Sequence, residues 1–188
     1  ENITDGGSAF NITKTSAGNL ILTDAVNSYD GTTTISAGTL TIGGAGTLDS
    51  GDYDANIINN AALAYSSSAT QSFDGVISGS GTLLKDTATS VLTLSGANTY
   101  EGVTTVNAGT LKITHITGLG TNNGGTVVGA SGILEIAGVA VANAEALTLN
   151  GTLRGSGTSS FAGVTTLGSS STIDVASGGA FTMSENIT

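Results

Sequence analysis

The sequence predicts an all-β chain wound as a β-solenoid, on three observations. Short segments alternate apolar and polar residues, one motif returns almost unchanged 71 residues later, and proline is absent. Strands have a side-chain period of two, so alternation turns one face inward and leaves the other in water. Proline cannot donate a ladder hydrogen bond, and 188 residues without one suit near-continuous strand pairing. Gly, Ser, Thr and Asn make up 96 residues, and charged residues only 10%. Yet 38% of the chain is hydrophobic and alternates rather than scatters, so it is expected to fold.

The repeat comes first in the argument. Tyr29–Ile42 aligns without gaps on Tyr100–Ile113, with nine of fourteen positions identical. Lys14 and Lys85 share that offset, as do Asn27 and Asn98. A weaker copy, Ser160–Leu167, echoes Gly102–Thr105 and Ser72–Val76. Within these copies lie short strands: Leu40 and Ile42 flank Thr41, Leu111 and Ile113 flank Lys112, and Leu134 and Ile136 flank Glu135. Leu147 and Leu149 flank Thr148, Ile173 and Val175 flank Asp174, and Phe181 and Met183 flank Thr182. Each apolar pair is expected to face inward and the residue between to face water. Ala137–Leu149 is Ala-rich, but Val139, Val141, Leu147 and Leu149 again alternate. Gly, Ser or Asn punctuates each strand, as turns require.

A sandwich gives each strand a different neighbour and has no use for near-copies. In a solenoid each coil stacks on the one before, which favours similar coils. At about 20 residues per coil the chain makes about nine coils, a rod about 45 Å long at ~4.8 Å per stacked strand. The expectation is a single segment over 1–188, with copies near 6–42 and 73–113 and a weaker one at 160–183.

Phe73–Lys85, Leu92–Tyr100 and Gly102–Leu111 together closely resemble the autotransporter-associated β-strand repeat of type V secreted bacterial surface proteins. The resemblance extends over Gly6–Ile42 and is diffuse in Gly43–Ser72 and Ile116–Thr188. Asp86–Ser90 stands where that family has a Gly-rich link, and Ser28 where the second copy has Thr99. The resemblance implies a right-handed parallel β-helix displayed outside a Gram-negative cell, with no catalytic residues in the repeat.

Charge excludes some partners. Lys14, Lys85, Lys112 and Arg154 stand against fourteen acids, a net charge of −10. Nucleic-acid binding needs clustered cations on phosphates, so none is expected. Without cysteine there is no disulfide framework and no thiolate metal site. No apolar run approaches the ~18 residues of a membrane helix. Any signal peptide or anchor is expected outside this segment.

Candidate chemistry is sparse. Gly43–Asp49 resembles the opening of a calcium nonapeptide, but its Asp is one place late and no tandem copy follows. Asp49, Asp52 and Asp54 are the candidate calcium ligands, since calcium takes hard oxygens, with a solvated acidic turn as the plainer reading. Glycoside hydrolysis wants two facing carboxyl groups, and Asp52 and Asp54 with Asp74 or Asp30 are the candidates. The cations that hold acidic sugars are missing around them, and aromatics are few. His115, the only histidine, follows Ile113-Thr114 and is read as a turn residue. No Gly-x-Ser-x-Gly elbow occurs, and Gly79-Ser-Gly and Gly155-Ser-Gly are turn glycines. No catalytic residue and no cofactor is therefore expected. Thr32–Thr34, Thr104–Thr105 and Thr165–Thr166 are read as outward strand formers, recurring too rarely for an ice-binding file. The sequons at Asn2, Asn11 and Asn186 carry no weight if the source is bacterial, as the resemblance implies.

The function expected is a non-catalytic stalk or passenger segment of an autotransporter-type adhesin. The alternatives are direct adhesion through Ser66–Ser72 or Asp49–Asp54 to a host or matrix ligand, self-association into filaments or biofilm, and, last, a polysaccharide-active β-helix enzyme. The expected partners are neighbouring coils or copies of the same array. Glu1-Asn-Ile-Thr4 and Glu185-Asn-Ile-Thr188 match at an offset of 184 residues. That match suggests a macro-repeat with uncapped ends that stack head to tail, Ile187 taking the role of Ile3.

Overall fold

A computed structural model describes residues 3–142, 145–168 and 170–188. Every named strand pair among them is parallel. The chain winds past three sides in turn, here called faces A, B and C, though not every turn carries a strand on each. Face A holds Ile12–Lys14, Thr33–Ile35, Ile57–Asn59 and Ile77–Ser78, then Ala140–Val141, Thr158–Phe161 and Ala180–Met183. Face B holds Asn19–Leu22, Thr39–Gly44, Ala62–Ser67, Leu147–Leu149 and Thr165–Leu167. Face C holds Asp52–Tyr53, Gln71–Phe73, Thr152–Ser156 and Thr172–Val175. The long strands Thr82–Leu94, Thr104–Ile113 and Thr126–Ala137 turn the corner from B to C.

The result is a β-solenoid of about eight turns rather than the nine expected. Coil-to-coil steps run from 18 residues (Leu147 to Thr165) to 24 (Thr33 to Ile57). Beyond Met183 the chain contributes only the bridge of Ile187 to Thr165. The one helical element described is a 3-10 turn, Asp49–Gly51.

The 71-residue repeat does not equal a whole number of coils. Leu20 reaches Leu83 on face B through Leu40 and Leu63, three coils and 63 residues on. The remaining eight residues carry the second copy one face further round. Thr33–Ile35 of the first copy lies on face A, whereas its counterpart Thr104–Val106 stacks on Leu83–Lys85 of face B. Successive copies are thus turned by one side of the prism.

Inside, Leu40, Ile42, Leu63, Leu83, Leu92, Leu111, Leu134 and Leu153 are all within 1% of full burial. Tyr29, Tyr53, Phe73 and Tyr65 form an edge-to-face row at centroid spacings of 5.8, 6.3 and 6.3 Å. Corners demand small residues: a Cβ on Gly102 would collide with the carbonyl of Gly81 one coil below. Gly38 and Gly109, equivalent in the two copies, both take a positive φ (70° and 73°) that glycine adopts without strain.

Three expectations are corrected. Thr33, Thr104 and Thr165 face inward and are buried, leaving Thr34, Thr105 and Thr166 to face out. The inward position suits threonine because Tyr29 and Tyr100 hydroxyls bond Thr33 and Thr104 there. Ile173 and Val175 point to the core side but are 43% and 44% exposed, because no further strand stacks over them. Ile3 bonds Ser28 near the C–A corner and Ile187 pairs with Thr165 on face B, so the two occupy different sides. Glu1 and Asn2, the other half of the terminal match, lie outside the described residues.

Candidate functional site

Polar groups buried between coils are the most regular chemical feature of the molecule. Lys14 donates to the carbonyls of Ser16 (2.5 Å) and Ala37 (2.8 Å). Lys85 donates to those of Thr87 (2.6 Å) and Ala108 (3.2 Å). Each lysine thus bonds the residue two ahead and the residue 23 ahead, tying a corner loop to the coil above. Lys85 is fully buried, its ammonium 5.8 Å from the Tyr65 ring centroid, and desolvation pushes its pKa down to about 8.

The asparagines work the same way. Asn98 accepts from the Ile77 amide (2.8 Å) below and donates to the Gly118 carbonyl (2.8 Å) above. Asn27 accepts from the Ile3 amide and donates to the carbonyls of Asp24 and Thr47. Tyr29 pairs with Thr33 at 2.9 Å and Tyr100 with Thr104 at 2.7 Å. Burial raises both tyrosine pKa values. A buried amide or hydroxyl left unbonded costs ~1–3 kcal/mol, so these residues are fixed by the carbonyls and amides they satisfy.

Of the candidate calcium trio, the structure brings together Asp52 and Asp54 but not Asp49. Asp74 joins them from the next coil, with one carboxylate oxygen of each within 4.8 Å of the others. The reason is the stacking register: Asp52 sits opposite Ser72, which places Asp74 beside the pair. Asp49 is held in the 3-10 turn, its backbone at a φ of 42°. Asp74 accepts from the hydroxyls of Ser72 (2.5 Å) and Ser95. Burial works against its charge, but the bonds from Ser72, Ser95 and Asp52 prevail and keep its pKa low. The hydrogen bond and the repulsion from Asp74 raise Asp52 in turn. Three exposed carboxylates so placed offer hard oxygens of the kind a divalent cation takes, and equally stand as a solvated acidic group. Asp30, bonded through its amide to Asp5, stands apart from them.

Other singled-out residues are accounted for locally. His115 lies in a turn, its Nδ1 accepting from the Thr117 amide (3.2 Å). Ser66–Ser72 is a packed corner: the Gln71 amide bonds both N–H and C=O of Leu48, and Ser90 bonds the Ser67 carbonyl. Along face C, stacking lines up Asp52, Ser72, Thr93, Lys112, Glu135, Arg154 and Asp174 outward. Lys112 meets Glu135 at 3.7 Å and Arg154 meets Asp174 at 2.8 Å. Both exposed cations of the chain are therefore paired, and the other two are buried.

Glu145 was not singled out by the sequence. It is 1% exposed; one oxygen accepts from Thr126 (2.9 Å) and the other has no hydrogen-bond partner. Burial pushes its pKa up to about 7. It stands two residues before the inward Leu147, the place filled by Gly81, Gly102, Gly124 and Gly163 in other coils. Aligning coils rather than repeats exposes that exception.

Parallel coils with a lysine and an asparagine staple in each copy define a β-solenoid repeat protein. Residues 12–42 and 89–113 match the model of the passenger-associated-transport-repeat. Over 85 residues, 45% of this chain, the sequence is 42% identical to the adhesin BmaC autotransporter of Brucella suis biovar 1 (strain 1330). That stretch is 2% of the relative's own length. No solved structure matches. The chain thus carries repeats of the autotransporter passenger kind, and the matched segments contain Lys14, Asn27 and Asn98 of the staples.

Proposed function

We propose that this chain is a rigid spacer segment in the secreted passenger of a bacterial surface adhesin, with no catalytic step. The observation that carries the reading is the recurrence of the Lys and Asn staples at the repeat spacing. Repetition spent on joining coil to coil, rather than on a surface group, favours a mechanical role. The likeness to an autotransporter adhesin supports placement outside the cell, with any membrane anchor elsewhere in the parent protein. Coils added one upon another hold whatever lies beyond them away from the membrane.

Direct adhesion is the second reading, favoured by the exposed Asp49–Asp54 corner, where Asp49 and Ser50 both hold a positive φ. The test is to display the segment between a carrier passenger's binding tip and its membrane barrel. The spacer reading expects the purified segment to bind no matrix protein or glycan, and the tip's reach to grow by about 40 Å at ~4.8 Å per coil. Specific binding by the purified segment that is lost on substituting Asp52 and Asp54 overturns it in favour of adhesion.

A further inference from the structure

Faces B and C are both continuous, but they differ in charge. Face C carries the Lys112–Glu135–Arg154–Asp174 file. On face B the outward file runs Ile21, Thr41, Ala64, Leu84, Thr105, Val127, Thr148 and Thr166, in register through eight stacked strands. None of these is charged, although the chain carries −10 overall. Val103 and Val164, 37% and 47% exposed, add apolar surface where the chain enters the face. Lys85, where this face meets the B–C corner, points inward and is buried, and the exposed Asp86 beside it lies at that corner, off the outward file.

We infer that face B is a lateral docking surface for a second copy of this chain, sheet against sheet. Two arguments select that occupant. Two acidic rods repel wherever carboxylates meet, and the outward file of face B offers an approach along its length with no carboxylate in it. Its side chains also recur at the ~4.8 Å spacing of stacked strands, which another such face matches row for row, at the ~10 Å separation of packed sheets. The area is small: about 34 Å by 10 Å per copy, near 700 Å² for the pair, against the ~1,200 Å² of a stable complex. The pairing is therefore weak for one segment, and becomes appreciable when many copies stand side by side at a surface. A two-fold contact closes after two molecules, so the expected product is a dimer.

The test is sedimentation and small-angle X-ray scattering of the full 188-residue chain up to millimolar concentration. The expected result is a reversible dimer whose maximum dimension equals the monomer's while its cross-section grows. Added salt should tighten it, because screening relieves repulsion between the acidic rods and no ion pair is lost. Val127→Glu and the more exposed Thr148→Glu should each weaken it roughly tenfold or more by opposing like charges across the two-fold. Thr182→Glu on face A should leave it unchanged. A chain that stays monomeric, a dimer of doubled length, weakening by salt, or indifference to Thr148→Glu each overturns the proposal. None of those outcomes touches the spacer reading, which concerns a single rod.

Discussion

Lys14 and Lys85 make the same pair of bonds in different places: each reaches the carbonyl two residues ahead and the carbonyl 23 ahead, one coil up. Yet the first sits on face A and the second at the B–C corner, because the repeat is three coils and one face long. The staple therefore belongs to the motif and not to a side of the rod. Surface residues of the motif, such as Thr34 and Thr105, are consequently presented on different sides.

Lys85→Met should lower stability by about 2–3 kcal/mol, since two carbonyls lose a charged donor in a buried place. The corner loop Asp86–Ser90 should become the first site of limited proteolysis. Chemical denaturation and mass spectrometry of the first cleavage product check both.

Asn98→Ala should cost about 2–4 kcal/mol, as the Ile77 amide and Gly118 carbonyl both lose their side-chain partner. Asn27→Ala should cost less, because its bond from the Ile3 amide is longer (3.3 Å) and less buried than the Ile77–Asn98 bond (2.8 Å). Denaturant midpoints of the two variants, measured side by side, test the ranking.

Much of this was legible in the sequence, for a physical reason. Alternation at Leu111–Ile113 and Leu134–Ile136 set the inward sides, and the matched lysines and asparagines marked positions whose environment also repeats. What stayed hidden depends on which coil lies over which. The choice between Asp74, Asp30 and Asp49 as the partner of Asp52 and Asp54 stayed open, because it is made by a cross-coil register, Asp52 opposite Ser72, that no single segment encodes. Lys112, Glu135 and Asp174 were each expected to face out, but their alternation of sign with Arg154 appears only on stacking. Thr33 and Thr104 were misplaced because threonine suits either side of a strand, and only the tyrosine hydroxyls beside them draw them inward.

Glu145 should make stability fall as pH rises. Its folded pKa is about 7 against 4.5 for the exposed group, so the folded chain holds the extra proton between those values. Stability contributed by this group is then full below pH 4.5 and lost as pH climbs through 7, on the order of 3 kcal/mol. Glu145→Gln should flatten that part of the profile relative to the unsubstituted chain; equal slopes would refute it.

Chelation should leave thermal stability unchanged. The Asp74 carboxylate already accepts from Ser72 and Ser95, and Asp52 and Asp54 beside it are exposed to solvent. A drop of several degrees in EDTA, restored by calcium, would instead make Asp52, Asp54 and Asp74 a cation site.

The most direct test of the central claim, an in-register three-sided stack, is a distance between spin labels at Thr41 and Thr148. The chain has no cysteine, so both sites are introduced without background. They lie on one outward file of face B, five coils apart, which places the backbones about 24 Å from each other at ~4.8 Å per coil. A single narrow distribution near that value, broadened only by the label arms, is expected. A broad distribution, or a peak beyond roughly 40 Å, more than eight coil spacings, would contradict the solenoid.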